Sequence, residues 1–412
     1  MSLPEASSVK RVGLNGARAV LGVTGGIAAY KAAGIASTLV QAGVELTVVM
    51  TDGARQFIQP LTFEGLTHRR VYTSAYDGWS DGHTGHVELA ANADVLLIAP
   101  ATANTIARLA HGNVDDMLSA IALATEATIV VAPAMEHHMW NHPATIANVA
   151  TLSERGVRII DPASGRLASG AIGQGRLAST PDIVWAVRTA LGHRGPLAGK
   201  SVVVTAGGTQ EAIDPVRFIG NRSSGQMGIA LAGAALDAGA EVHLIATRNV
   251  DPGLLVGHVT IVESALDLQR TVADAMPAAD VLIMAAAVAD FRPDQVAAQK
   301  IKKQHGQDTL DLNLVRNPDI IAGVTRAGLI KVGFAAETEA LVDHALAKLR
   351  AKGLDLIVAN DAVATIGSER SQATLITRNA DLVQLPEAPK TVVAAQIIDA
   401  IVRLMDRQIG HA

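Results

Sequence analysis

Residues Ala19–Lys31 read Ala-Val-Leu-Gly-Val-Thr-Gly-Gly-Ile-Ala-Ala-Tyr-Lys, and residues Val202–Thr209 read Val-Val-Val-Thr-Ala-Gly-Gly-Thr. Each is an apolar run of strand length that stops at paired glycines. An uninterrupted apolar run suits a strand buried on both faces, as in a parallel sheet covered by helices. Glycines after such a strand leave backbone N–H groups uncovered, where a phosphate can approach. The two loops differ, because the second leads into Asp214-Pro215-Val216-Arg217 and Asn221-Arg222-Ser223-Ser224-Gly225. Two unlike loops predict two sites and two chemistries on one chain.

Outward from the first loop, Val20–Val23, Leu46–Met50, Val95–Ala99 and Ile129–Ala132 read as buried strands. Ala- and Leu-rich stretches such as Ile27–Gln41 and Thr102–His111 read as helices between them. This alternation predicts a doubly wound parallel sheet. Three glycines and a proline within Gly192–Gly199 mark a junction. The pattern then restarts with Val202–Thr205, Val242–Ala246, Val281–Ala285, Val332–Ala335 and Leu356–Ala359. Leu310, Leu312 and Leu314 alternate with Asp311 and Asn313, which predicts a half-buried strand. Thr374–Thr377 and Leu382–Leu385 flank Arg378–Asp381 and predict a hairpin. The expected fold class is therefore α/β, with two doubly wound, Rossmann-like parallel-sheet domains. The second carries an antiparallel addition.

Bulk composition narrows the function. The chain has 412 residues, 49% of them hydrophobic, which fits two large cores. No uncharged apolar stretch of about 18 residues occurs, so no membrane span is expected. Met1–Asn15 has no signal-peptide core and reads as a ragged tail. The net charge of −5 argues against a general nucleic-acid binder. With no cysteine, disulfides, thiolate metal sites and thiol chemistry are excluded, and a cytoplasmic setting is the simplest expectation.

Several constellations carry candidate chemistry. Gly22–Gly26 lacks Gly-x-Gly-x-x-Gly spacing, so a flavin mononucleotide or a phosphorylated substrate is favoured over NAD, a tight turn being the bland reading. In Ala99-Pro100-Ala101-Thr102-Ala103-Asn104-Thr105, Thr102 is placed to cap a helix and Asn104 to bond a ligand. His86 stands at a helix start, as a base or a surface histidine. His83 and His137-His138 raise a metal question, but their spacing fits no helical zinc motif. Met135, Met139 and Trp140 read as core filler, and Gly173-Gln174-Gly175-Arg176 as a flap with one anion-seeking arginine.

Together these strings resemble the bifunctional phosphopantothenoylcysteine decarboxylase/phosphopantothenate–cysteine ligase family of coenzyme A synthesis. The resemblance runs from about Ala17 to about Arg407. In the first half it rests on the Gly22–Lys31 string, His86 before Val-Glu-Leu, the Ala99–Thr105 string and Pro133-Ala134-Met135. In the second half it rests on Asp214–Arg217, Asn221, Ser223–Gly228, Ala285–Asp290, Lys300–Lys303, Asn317–Ile320, Gly333–Thr338 and Ala359–Asp361.

The resemblance implies a flavodoxin-like decarboxylase domain at 1–191 and a ligase domain at 192–412. It implies that Thr24, Gly25, Gly26, Thr51, Thr102 and Asn104 hold FMN and that His86 is the essential histidine. Met135, Glu136, Ser169 and Arg176 fall at the substrate. The ligase half would use CTP and Mg²⁺ to activate 4′-phosphopantothenate for attack by L-cysteine. There Asp290, Asn317, Pro318, Asp319, Ile320, Phe334, Lys348 and Lys352 fall around the nucleotide. Arg217, Asn221 and Lys300 fall at the reacting groups. Metal ligands are not assigned. Sites at subunit contacts imply a homo-oligomer, a dodecamer built from decarboxylase trimers and ligase dimers.

Two residues depart from the family pattern. Glu136 stands where asparagine usually follows Pro-Ala-Met, and a carboxylate there would repel a substrate carboxylate unless protonated or turned away. Ser169 stands where the flap usually carries a proton-donating cysteine. A serine hydroxyl is a weaker acid, so another group or water is expected to deliver that proton, and two rival readings stand beside this one. One, to which the missing flap cysteine lends weight, is a first domain that only binds flavin as a regulatory module; the other, independent of Ser169 and disfavoured by the absent Gly-x-Gly-x-x-Gly spacing, is an NAD-dependent reductase built from two nucleotide-binding domains.

Overall fold

The computed structural model describes residues 13–77, 85–193, 195–253, 258–302, 309–337, 341–361, 368–379 and 381–409, with backbone alone at 336–337, 341–343, 361 and 408–409. The chain divides into two compact units, Met1–Gly195 and Pro196–Ala412. His83, Lys303 and Thr338 lie outside the described residues.

The first unit runs β1 (Arg18–Val23), α1 (Ala32–Gln41), β2 (Glu45–Met50), α2 (Pro60–Thr67), α3 (Gly85–Asn92), β3 (Val95–Ala101), α4 (Ala103–His111), α5 (Met117–Ala124) and β4 (Thr128–Pro133). It continues through α6 (His137–Trp140), α7 (Pro143–Glu154), β5 (Arg158–Ile159), β6 (Ala163–Arg166), β7 (Ile172–Arg176) and α8 (Thr180–Gly192). Five strands form a parallel sheet in the order β2-β1-β3-β4-β5. This is the flavodoxin-like order, in which ligands sit at the carboxyl ends of β1 and β3, where the strand order reverses. All seven residues of β3 are buried, as a central strand with helices on both faces requires. Gly22 lets α5 approach β1, since a Cβ there would come within 2.9 Å of Leu118 Cδ2. The expected helix Ile27–Gln41 divides into a 3₁₀ turn, Ile27–Lys31, followed by α1. The flap expected from Gly173–Arg176 is one strand of an antiparallel hairpin, β6–β7.

The second unit runs β8 (Ser201–Ala206), β9 (Gln210–Ala212), β10 (Phe218–Gly220), α9 (Gln226–Asp237), β11 (Glu241–Thr247), β12 (His258–Val262), α10 (Ala265–Ala275) and β13 (Val281–Met284). Next come β14 (Phe291–Pro293), β15 (Leu314–Arg316), α11 (Ile320–Gly323), β16 (Ile330–Glu337), α12 (Leu341–Lys352), β17 (Leu356–Asp361), β18 (Arg370–Thr377), β19 (Leu382–Pro389) and a C-terminal helix, Lys390–Ile409. Its eight-stranded sheet has the order β12-β11-β8-β13-β16-β17-β18-β19. The six parallel strands follow the Rossmann 3-2-1-4-5-6 pattern, and β18 and β19 add antiparallel at one edge. Here the reversal lies between β8 and β13, so their carboxyl-terminal loops face one crevice. Gly207 and Ala287 join those loops, the Ala287 N–H donating to the Gly207 carbonyl at 2.7 Å.

One local expectation fails. Leu310, Leu312 and Leu314 are 36–44% exposed, and only Leu314 lies in a strand, the short ribbon β14–β15. Alternation identifies an apolar face, but burial needs a second layer over it, and among the described residues this ribbon has none. In the core, Ile320 is buried with Leu349, Leu354 and Ile357, which reflects packing rather than exposure at a site.

Candidate functional sites at the two sheet reversals

In the first unit the chain leaves β1 through Thr24-Gly25-Gly26 and leaves β3 through Thr102. Thr24 is 1% exposed and ties the two loops together. Its hydroxyl donates to the Pro100 carbonyl at 2.7 Å and accepts from the Thr102 N–H at 3.0 Å. Thr102 in turn N-caps α4, accepting from the Thr105 N–H at 3.3 Å. Thr51 supports a third loop: its N–H donates to the Val23 carbonyl, and its hydroxyl accepts from the Ala54 N–H at 3.3 Å. That loop packs on Gly25, where a Cβ would meet the Gly53 carbonyl carbon at 2.6 Å. Glycine at 25 is therefore required by close backbone approach.

A cavity of about 770 Å³ opens over these loops. Gly25, Gly26, Thr102, Met135, Glu136, Ser169 and Arg176 all line it, so the structure brings together seven of the residues singled out in sequence. Thr24 and Thr51 stand behind it as supports. Asn104 lies exposed in the first turn of α4, and His86 lies half-buried on α3; neither lines the cavity. Lys31 and Arg166 do line it and escaped the sequence reading. Lys31 ends the quoted glycine string, but Arg166 belongs to the site only because the β6–β7 hairpin folds over it.

The cavity carries three cations, Lys31, Arg166 and Arg176, and one carboxylate, Glu136. Glu136 is engaged elsewhere. It N-caps α6, accepting from the His138 N–H at 2.6 Å and facing His138 Nδ1 at 3.1 Å. Burial pushes this carboxyl up, but the His138 N–H and imidazole outweigh it and hold the group below the ordinary range. The expected repulsion is met by a carboxylate turned into a helix cap. Cationic excess, side-chain-free glycines and this volume suit a phosphate-bearing ligand with a large planar body.

In the second unit, Asp214 is buried and gathers five donors. The Val216, Arg217 and Ile301 N–H groups donate at 2.8, 2.9 and 3.1 Å. Arg217 Nη2 and Nε donate at 2.5 and 3.0 Å. The Arg217 guanidinium, with these backbone donors, holds the Asp214 carboxyl far below the usual range despite burial. Arg217 Nη2 also donates to the Ile301 carbonyl at 2.9 Å. The pair thus anchors the loop that presents exposed Lys300.

Asn221 Nδ2 donates to the Val288 carbonyl at 3.0 Å. Asn317 is held by Asp290 and Ala289, its N–H donating to the Asp290 carbonyl and its Nδ2 to the Ala289 carbonyl, both at 2.8 Å. Pro318 follows, half-buried. Asp319 accepts from Lys352 Nζ at 3.0 Å. Lys348 is half-buried on α12 and bonded within the fold. Phe334 lines a cavity of about 210 Å³ with the Arg222–Gly228 loop, Ala285–Ala287 and Asn360. Of the sequence-predicted nucleotide residues, only Phe334 reaches this cavity; Asp290, Asn317–Asp319, Lys348 and Lys352 do not line it.

The first unit matches the Flavoprotein family over residues 8–192. The second matches the DNA/pantothenate metabolism flavoprotein C-terminal domain over residues 197–405. The chain is 42% identical over 406 residues to the coenzyme A biosynthesis bifunctional protein CoaBC of Bacillus subtilis, covering 97% of this chain and 99% of that one. This chain belongs to the coenzyme A biosynthesis bifunctional family. Other members are CoaBC of Mycobacterium bovis, 44% identical over 94% of this chain and 96% of that one, and CoaBC of Vibrio vulnificus, 42% identical over 97% and 99%. Both halves of the family are present in its order, so each of the two loops read first in the sequence lies in its own family domain. No helix among the described residues is long and apolar enough to cross a membrane.

Proposed function

We propose that residues 192–412 join 4′-phosphopantothenate to L-cysteine with CTP and Mg²⁺, and that residues 1–191 decarboxylate the product to 4′-phosphopantetheine with FMN. The observation that carries this reading is an overall identity above 40% to relatives matched over 94–97% of this chain, a span that takes in both units. Relatives of that similarity are bifunctional by name, which disfavours a first unit that only binds flavin.

In the first unit the cavity fits FMN. Gly25 and Gly26 expose backbone amides, and Thr24, Thr51 and Thr102 fix the loops that present them. When bound, FMN supplies reversible hydride acceptance at the carbon bearing sulfur, so that CO₂ can leave without net redox change. Lys31, Arg166 and Arg176 hold the anionic ends of the ligands. Ser169, at the tip of the β6–β7 hairpin, orients the sulfur end, and its hydroxyl or a water returns the proton. His86 reaches the substrate of a neighbouring subunit, which is why it lies outside its own chain's cavity. In the second unit Lys300, presented by the Asp214–Arg217 anchor, neutralises charge on the phosphate under attack. Arg217 and Asn221 border the acyl-cytidylate. Asp290, Asn317–Ile320, Phe334, Lys348 and Lys352 border the nucleotide. A cytoplasmic homo-oligomer of trimers and dimers completes these sites.

The test is mass spectrometry of products after mixing the protein with 4′-phosphopantothenate, L-cysteine, CTP and Mg²⁺. The expected products are 4′-phosphopantetheine, CO₂, CMP and pyrophosphate. Arrest at 4′-phosphopantothenoylcysteine overturns the decarboxylase half, and untouched CTP overturns the ligase half.

A further inference from the structure

The 210 Å³ cavity of the second unit has a wall that the sequence motifs do not supply. Lys390, first residue of the C-terminal helix, and Ser371, on β18, face the Arg222–Gly228 loop across it. Two cations, Arg222 and Lys390, line this cavity and no carboxylate does. Lys390 Nζ has one weak polar partner among the described residues, Gln226 Oε1 at 3.4 Å, and no ion pair. Burial among these groups, with no anion nearby, pulls its ammonium below the ordinary lysine range. Ser371 is only 2% exposed, yet its hydroxyl makes no hydrogen bond among the described residues. That hydroxyl is open to the cavity, where a ligand can supply the partner the protein does not. Opposite these two groups, the twelve-residue helix α9 begins just after Gly225, with no side chain capping its first N–H groups.

We propose that Lys390 and Ser371 hold the polyphosphate tail of the nucleoside triphosphate against the Ser223–Gly228 loop, as positioning residues of the ligase. This rests on the ligase reading above. An ammonium without a counter-ion, a hydroxyl open to the cavity and an uncovered helix N-terminus all face one volume, and all three can donate to an anion with several acceptor oxygens. The backbone bond from the Lys390 N–H to the Glu369 carbonyl, at 3.0 Å, fixes the start of the helix, so Nζ is presented from a rigid base.

Calorimetric titration of the full chain with inorganic tripolyphosphate, CTP and cytidine tests this. Lys390→Gln is expected to weaken tripolyphosphate and CTP by about tenfold or more and to leave cytidine unchanged. Lys390→Arg restores most of the loss. In turnover, Lys390→Gln raises the KM for CTP and leaves the KM for 4′-phosphopantothenate as it was. Ser371→Ala, which removes one oxygen from a packed site, weakens tripolyphosphate severalfold and decides the matter if Lys390→Gln does not fold. Unchanged tripolyphosphate and CTP affinity in Lys390→Gln and Ser371→Ala overturns the proposal while leaving the ligase standing. Lys390-dependent tripolyphosphate binding by a protein that never consumes CTP supports the anion site and refutes the ligase reading.

Discussion

Replacing Gly228 and Gly34 by alanine should move stability in opposite directions, although both glycines lie within helices. Gly34 is exposed on α1, and a Cβ there meets nothing within 4 Å. Alanine then gains helix propensity of about 1 kcal/mol. Gly228 sits where α9 crosses β8, and a Cβ would lie 2.8 Å from the Thr205 carbonyl oxygen and 2.9 Å from Ala206 Cα. Both are backbone atoms of a central strand and cannot rotate away. Overpacking costs about 1–3 kcal/mol, and two immovable backbone contacts put this site in the upper part of that range, at about 2–3; the propensity gain offsets about 1 of it, leaving a net loss of about 1–2 kcal/mol. For a unit of this size that corresponds to a melting temperature lower by about 2–8 °C, against a rise of about 2–4 °C for Gly34→Ala. All three tryptophans, Trp79, Trp140 and Trp185, belong to the first unit. Tryptophan fluorescence therefore follows that unit alone, while scanning calorimetry follows both. Gly228→Ala should lower a calorimetric transition that fluorescence does not see, and should slow the ligase through the loop α9 carries. A Gly228→Ala protein as stable as the parent would refute the claim that helix and strand are in backbone contact there.

Other outcomes follow from the two sites. Thr24→Val leaves the Pro100 carbonyl and the Thr102 N–H without their partner, so the first unit should lose about 2 kcal/mol in urea titration and purify with less bound flavin. Because Glu136 is held below its ordinary value of 4.5, its cap is complete above that pH and fades as acid passes through the lower folded value. Tryptophan emission from Trp140 should therefore change on acidification below about pH 4.5, and the change should vanish in Glu136→Gln. Asp214 is likewise depressed, so its anchor is intact above the ordinary carboxylate value of 3.8. Asp214→Asn should slow the ligase at every pH tested while leaving CO₂ release from added 4′-phosphopantothenoylcysteine unchanged. Ser169→Cys restores a stronger acid at the flap and should speed formation of 4′-phosphopantetheine about tenfold or more, measured by rapid-quench mass spectrometry.

Residues near one another along the chain made much of this protein legible without coordinates. Apolar runs such as Val202–Val204 identify strands buried on both faces, because only a covered parallel sheet hides so long a run. The glycine strings identify where those strands end, and Thr102 declares itself a helix cap, since short-range bonding decides a cap. Composition excluded disulfides outright, as no cysteine is present. What sequence spacing could not decide was anything that joins distant segments. The strand orders 2-1-3-4-5 and 3-2-1-4-5-6 arise from long-range pairing. Only that pairing brings Arg166 over Gly25, or sets Lys390 and Ser371 across from a loop that begins more than a hundred residues earlier. Glu136 shows the same limit: one carboxylate can repel a ligand or cap a helix, and the choice lay in the fold around His138. Leu310 and Leu312 show its converse, an apolar alternation left exposed because periodicity states which side is oily and tertiary structure alone supplies what covers it.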